Sequence, residues 1–122
     1  MEKPISRPAH GFTDYSYVPI VAAAPWLVSF TDQPTAVGLT RVLSGSILAT
    51  SLLTRAEWGL VKVIPFRTHL VADTAVGLFA LGAPWLFGFA SHTKARTTFL
   101  VAGVFGILAG VLSKPEEMPL ES

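Results

Sequence analysis

A chain of 122 residues is one domain or one small bundle, and only 14% of it is charged against 51% apolar, far from the roughly 25% charge usual in soluble domains. The formal net charge of +1, with no basic stretch interleaved with aromatics, excludes a nucleic-acid partner. The absence of cysteine excludes disulfides, iron–sulfur clusters and thiolate zinc sites together.

The first expected element is a spanning helix that begins after Asp14, because Gly11, Ser16 and Pro19 all disfavour an earlier start. Between Asp14 and Asp32 lie 17 residues without Asp, Glu, Lys or Arg. A helix crosses the hydrocarbon core with about 20 mainly apolar residues, range roughly 17–25. Lys3, Arg7 and the small-residue run "VAAAP" superficially resemble a secretory leader. However, "YVPIVAA" is too short for a signal core and the apolar run continues past it, so this span is expected to insert and stay. The second expected span, 36–54, carries Arg41 near its start, where a guanidinium snorkels to the headgroups. The connection "TRAEWGLVKVIPFRTH" interleaves apolar and charged residues. It reads either as a short amphipathic helix in the headgroup region, ended by Pro65, or as an ordinary connection. Two further uncharged runs follow, 20 residues between Asp73 and Lys94 and 17 between Arg96 and Lys114. Both are apolar or small on nearly every side, unlike the amphipathic helices of a soluble domain. The tail "SKPEEMPLES" reads as a mobile acidic cytoplasmic end.

The chain repeats itself. A shift of 59 positions lays "HGFTDYSYVPIVAAAPWLVSF" on "HLVADTAVGLFALGAPWLFGF", pairing His10 with His69, Asp14 with Asp73 and Pro25-Trp26 with Pro84-Trp85. With one more residue in the following loop, Ile47-Leu48-Ala49 falls on Ile107-Leu108-Ala109. The expected fold is all-α, a four-transmembrane-helix bundle of two parallel two-helix repeats with a short interfacial amphipathic segment between them. Its parts are residues 1–54, the linker 55–68, the second repeat 69–113 and the tail 114–122. Two spans per repeat put equivalent residues at equal depth, with "TDQPT" and "SHTKA" on one side and both termini on the other. The termini side holds Lys3, Arg7, Arg55, Lys62, Arg67 and Lys114, against Lys94, Arg96 and nearby Arg41. This bias predicts cytoplasmic termini in a bacterial-type inner (cell) membrane. Trp58, Tyr15 and Tyr17 are then expected in the cytoplasmic aromatic belt, with Trp26 and Trp85 toward the other.

Inside a helix, Pro25 and Pro84 release the carbonyls of Val21 and Ala80, so the Pro-Trp pair reads as a bend with an interfacial anchor attached. Ala102, Gly106 and Gly110, spaced by four, form a stripe for close helix packing, within the chain or between copies. The sharpest candidate chemistry is His10-x3-Asp14 and its echo His69-x3-Asp73, where i and i+4 share a helix face. Together these residues offer ligands for a divalent metal, or two imidazoles for a haem; separately they are polar helix starts. His92 reads as a solvated loop residue. No nucleophile elbow, phosphate loop or zinc-protease helix appears, so no catalytic residue is assigned.

"GLFALGAPWLFGF" resembles the first-helix motif of the SPW-repeat membrane proteins, which have one or two copies of a two-helix unit with a Ser-Pro-Trp triplet in its first helix. The resemblance covers both units. Gly77 keeps the family's distance before the triplet, "PFRTHLVAD" is similar to one branch, and Ala24 and Ala83 stand where the family has serine. It implies the fold and a membrane location, and no activity. Three functions remain open: a non-catalytic structural or assembly subunit, forming a homo-oligomer or joining other membrane subunits without a cofactor; a metal- or haem-binding redox protein; and a small oligomeric transporter.

Overall fold

A computed structural model describes residues 3–118 and contains four helices, α1 (Arg7–Leu27), α2 (Pro34–Leu52), α3 (Phe66–Leu86) and α4 (Thr93–Leu112). The order is that of two helical hairpins. Helix α3 packs most heavily on α4, and α1 on α2, while the α2–α3 and α1–α4 seams between repeats are sparser. A core of Tyr17, Val21, Phe30, Leu43, Ile47, Phe89 and Phe99, with small alanines between them, runs through both hairpins.

Helix α1 starts at Arg7, at least eight residues earlier than the sequence led us to expect. Ser6 caps it, its hydroxyl accepting from the Ala9 N–H, and Pro8 occupies the first turn, where its missing N–H costs nothing. Gly11, Ser16 and Pro19 are all carried inside the helix, so His10 and Asp14 both become helical. The early start also brings polar residues into α1. By length and composition α2, α3 and α4 are apolar enough to cross a membrane, and α1 falls short of them.

The two Pro-Trp pairs occupy the last turns of α1 and α3, and each helix closes in the same way. Ser29 and Gly88 adopt positive φ (65° and 79°), and the N–H groups of Phe30 and Phe89 return to the carbonyls of Pro25 and Pro84 at 2.9 and 2.8 Å. This left-handed closure satisfies terminal carbonyls and drives each phenylalanine into the core. The prolines are buried, whereas Trp26 and Trp85 are each 60% exposed and point away from the bundle.

The linker forms no helix between 53 and 65. Its N–H groups instead occupy the end of α2: Leu60 and Val61 donate to the Leu52 carbonyl, Val63 and Ile64 to that of Leu53. These orphan acceptors outcompete a short isolated helix, whose nucleation is unfavourable. Leu60, Val61 and Val63 remain exposed, as an interfacial segment requires. Tyr15 donates to the Trp58 carbonyl at 2.6 Å, but Tyr17 is buried and lies in the core instead of an aromatic belt.

Residues 114–118 are tied to the bundle, contrary to the expectation of a mobile tail; 119–122 lie outside the described residues. Helix α3 has no side-chain cap of its own, and Glu117 supplies one, accepting from the Phe66 and Arg67 N–H groups at 2.8 and 3.0 Å. Burial alone would raise the Glu117 carboxyl, but those donors and the charges of Arg55 and Arg67 hold it below its ordinary value. Glu57 of the linker meets the start of α1 through a side chain instead. It accepts two bonds from the Arg7 guanidinium at 2.9 and 2.8 Å, and that contact lowers its pKa.

Candidate functional site: a buried ring of two histidines and two aspartates

Near the N-terminal ends of α1 and α3, the four residues of the two His-x3-Asp motifs converge. His10 Nε2 lies 3.1 Å from Asp14 Oδ2 and 2.8 Å from Asp73 Oδ2; His69 Nε2 lies 2.6 Å from Asp14 Oδ2 and 3.3 Å from Asp73 Oδ1. Imidazole and carboxylate thus alternate around a closed ring, and each histidine touches the aspartate of its own helix and that of the other repeat. No ring residue is more than 3% exposed.

Why these side chains meet follows from the repeat. The i, i+4 spacing stacks His over Asp on each helix, and the approximate two-fold axis sets the two faces against each other at one depth. Phe66 closes the ring from one side, stacking on His69 at a centroid distance of 5.4 Å from His10 and 6.2 Å from His69. On α4, Gly106 lies beside the backbone of α3; a Cβ there would come within 3.2 Å of the Asp73 carbonyl. Gly110 approaches Leu70 and Thr74 of the same helix, so the small-residue stripe serves contact within the chain. Ala102 is buried higher on the same helix.

Two hydroxyls complete the arrangement, and neither was singled out in the sequence. Ser113 Oγ is 2.7 Å from His10 Nδ1, and Thr54 Oγ1 is 2.7 Å from His69 Nδ1. Each hydroxyl ends the second helix of the repeat opposite to the histidine it meets in sequence order, and residues 54 and 113 obey the same shift of 59 that relates the histidines. The pairing of the second helices through Ile47 and Ile107 uses a shift of one more, which hides this correspondence. The flanking backbone repeats it too: Thr54 bridges to Ile64, and Ser113 to Ile5.

The remaining candidates lie elsewhere. Pro25, Trp26, Pro84 and Trp85 sit at the opposite ends of α1 and α3 from the ring. His92 is not a bare loop residue: its ring accepts from the Ala95 N–H at 3.3 Å as the cap of α4, with Asp32 3.6 Å away.

The apolar helices, their hairpin order and the enclosed polar ring define a multi-pass helical membrane protein in contact with the lipid bilayer. The model of the SPW repeat domain matches residues 9–113, and the chain belongs to that family. No curated protein and no solved structure matches it.

Proposed function

We propose that the chain is a non-catalytic subunit of a bacterial-type inner (cell) membrane, crossing it four times with both termini cytoplasmic and acting through helix packing. The polar residues that reduce the apolarity of α1 turn inward, since His10, Asp14 and Tyr17 are all buried, which suits a fourth span. The excess of basic residues at the termini supports the orientation.

The observation that carries the packing role is the groove between α1 and α4. It has a volume of about 570 Å³ and is walled by apolar side chains, with the small Ala24 and Ala102 among them. Among the hydroxyls that reach it, those of Thr13, Ser16 and Thr98 bond back to their own helices. A groove with small residues in its wall suits the close approach of another transmembrane helix. The partner is a second copy or another subunit, because the glycines of α4 are already spent on α3.

The test is the mass of the gently solubilised particle. A particle larger than one chain, reduced to one chain by Ala102→Phe, is the expected result. A strictly monomeric wild-type particle with no co-purifying protein overturns the proposal.

A further inference from the structure

We propose that the ring of His10, Asp14, His69 and Asp73 is a binding site for one divalent transition-metal ion of the zinc type, taken up in exchange for two protons. This goes beyond the packing role and does not depend on it.

Ser113 Oγ donates to the Ala109 carbonyl at 2.6 Å, and Thr54 Oγ1 donates to that of Thr50. A hydroxyl has one proton to give. Toward the histidines, therefore, both oxygens accept, and both Nδ1 atoms must carry hydrogen. The tautomer of each imidazole is fixed from outside the ring, and Nε2 is left as its single variable position. This is how metal-ligating histidines are oriented, one nitrogen held by a hydrogen bond while the other faces the ion.

At each Nε2, one hydrogen faces two carboxylate oxygens. His69 lies 2.6 Å from Asp14 and 3.3 Å from Asp73, and at the longer contact Asp73 Oδ1 is left buried without a hydrogen-bond partner. Protons thus satisfy the ring incompletely, whereas one ion engages all four ligands at once. The four ligand atoms lie within 4.8 Å of one another. A tetrahedral centre with bonds of about 2.0–2.1 Å spaces its ligands by roughly 3.3 Å, so small side-chain movements close the site.

Charge selects the same exchange. Two imidazolium rings and two carboxylates sum to zero; two neutral imidazoles, two carboxylates and a dication also sum to zero. In a buried site any other occupancy leaves a net charge out of water. The facing titratable groups on α1 and α3 are the ring's own, together with Tyr15 and Tyr17. From α2 and α4 come only the hydroxyls of Thr54, Ser113 and Ser51. Ser51 lines a small cavity shared with both histidines and has no hydrogen-bond partner. The imidazole centroids are 5.2 Å apart, a spacing that suits an ion between the rings and not the macrocycle of a haem. Two nitrogens with two oxygens suit zinc and its neighbours over magnesium or calcium, which prefer six or more oxygens.

The experiment uses the full chain in detergent, stripped with chelator at mildly acidic pH and titrated with Zn²⁺ by calorimetry in buffers of different ionisation enthalpy. One ion per chain with about two protons released is expected, so that apparent affinity rises about a hundredfold per pH unit while both imidazoles are protonated. Co²⁺ should give the visible absorption of a tetrahedral site. His69→Asn and Asp73→Asn should abolish both signals, and Ser113→Ala, which keeps all four ligands, should weaken binding. Absence of Zn²⁺ and Co²⁺ binding to folded wild-type protein at pH 8 overturns the proposal. So does undiminished binding in a folded His69→Asn variant. Neither result alters the particle mass that tests the packing role.

Discussion

The two repeats share a plan and differ in how closely their helices meet. In the second, α3 and α4 touch backbone to backbone: a Cβ on Gly77 would lie 2.7 Å from the Gly103 carbonyl and 2.8 Å from the Ile107 nitrogen, and one on Gly103 would lie 2.8 Å from the Gly77 carbonyl. In the first, Val18 stands at the place of Gly77, and Gly38 and Gly45 face open space. Helices α1 and α2 meet through side chains such as Tyr17, Val21, Leu43 and Ile47. In lipid, where association relies on packing, the glycine-bearing hairpin forms the tighter unit. The ring then ties the looser hairpin to it.

Breaking that tie should have the largest effect. Removing one ring member, as in Asp73→Ala, strands a buried charge and should cost about 3–5 kcal/mol. Asp14→Ala should cost a similar amount, and the double variant much less than the sum, because the four residues act as one network. Reversible unfolding in mixed micelles measures all three; simple additivity would show that the hairpins hold together without the ring.

The helix seams come next. Gly77→Val gives the second repeat the residue of the first and forces a side chain into backbone, with an expected loss of about 1–3 kcal/mol. Gly45→Ala meets nothing and replaces a poor helix former, so it should gain about 0.5–1 kcal/mol. Equal effects at the two sites would remove the distinction between the repeats.

Where the first helices close, Ser29 holds a positive φ that Gly88 holds without strain. Ser29→Gly should therefore stabilise by about 1 kcal/mol, read as a higher unfolding midpoint, while Gly88→Ser should lose a similar amount.

The smallest effect belongs to the carboxylates at the bundle end. Glu57 and Glu117 both have pKa values lowered in the folded chain from an unfolded value of 4.5. Their contribution is therefore present above about pH 4.5 and is lost as pH falls through the lower folded values. Both are solvent-accessible, so each should be worth less than about 1 kcal/mol. An acid titration of stability in Glu57→Gln/Glu117→Gln should show a shallower decline below pH 4.5 than wild type.

Much of this was legible in the sequence. The uncharged runs, the shift of 59 and the His-x3-Asp echo point to four helices, parallel repeats and polar residues at matched depth, because helical periodicity and repetition are local properties. Local reasoning misjudged the start of α1: the discouraging Gly11, Ser16 and Pro19 were outweighed by the Ser6 cap and by the packing of His10 and Asp14. It left the linker open between two forms and misjudged the tail, for a related reason. Their backbone and carboxylate groups serve helix ends distant in sequence, as when Glu117 caps α3 across 51 residues.

By itself, the sequence determined which segments are helical and apolar, and that each half carries the same polar pair. Only the tertiary structure decided that the four polar side chains close into one ring, with Thr54 and Ser113 fixing the histidine tautomers. It also decided that the glycines of α4 serve α3 and not a neighbouring molecule. The physical reason is the same throughout. Periodicity sets the face a residue occupies, but what meets that face depends on how the helices are placed in space.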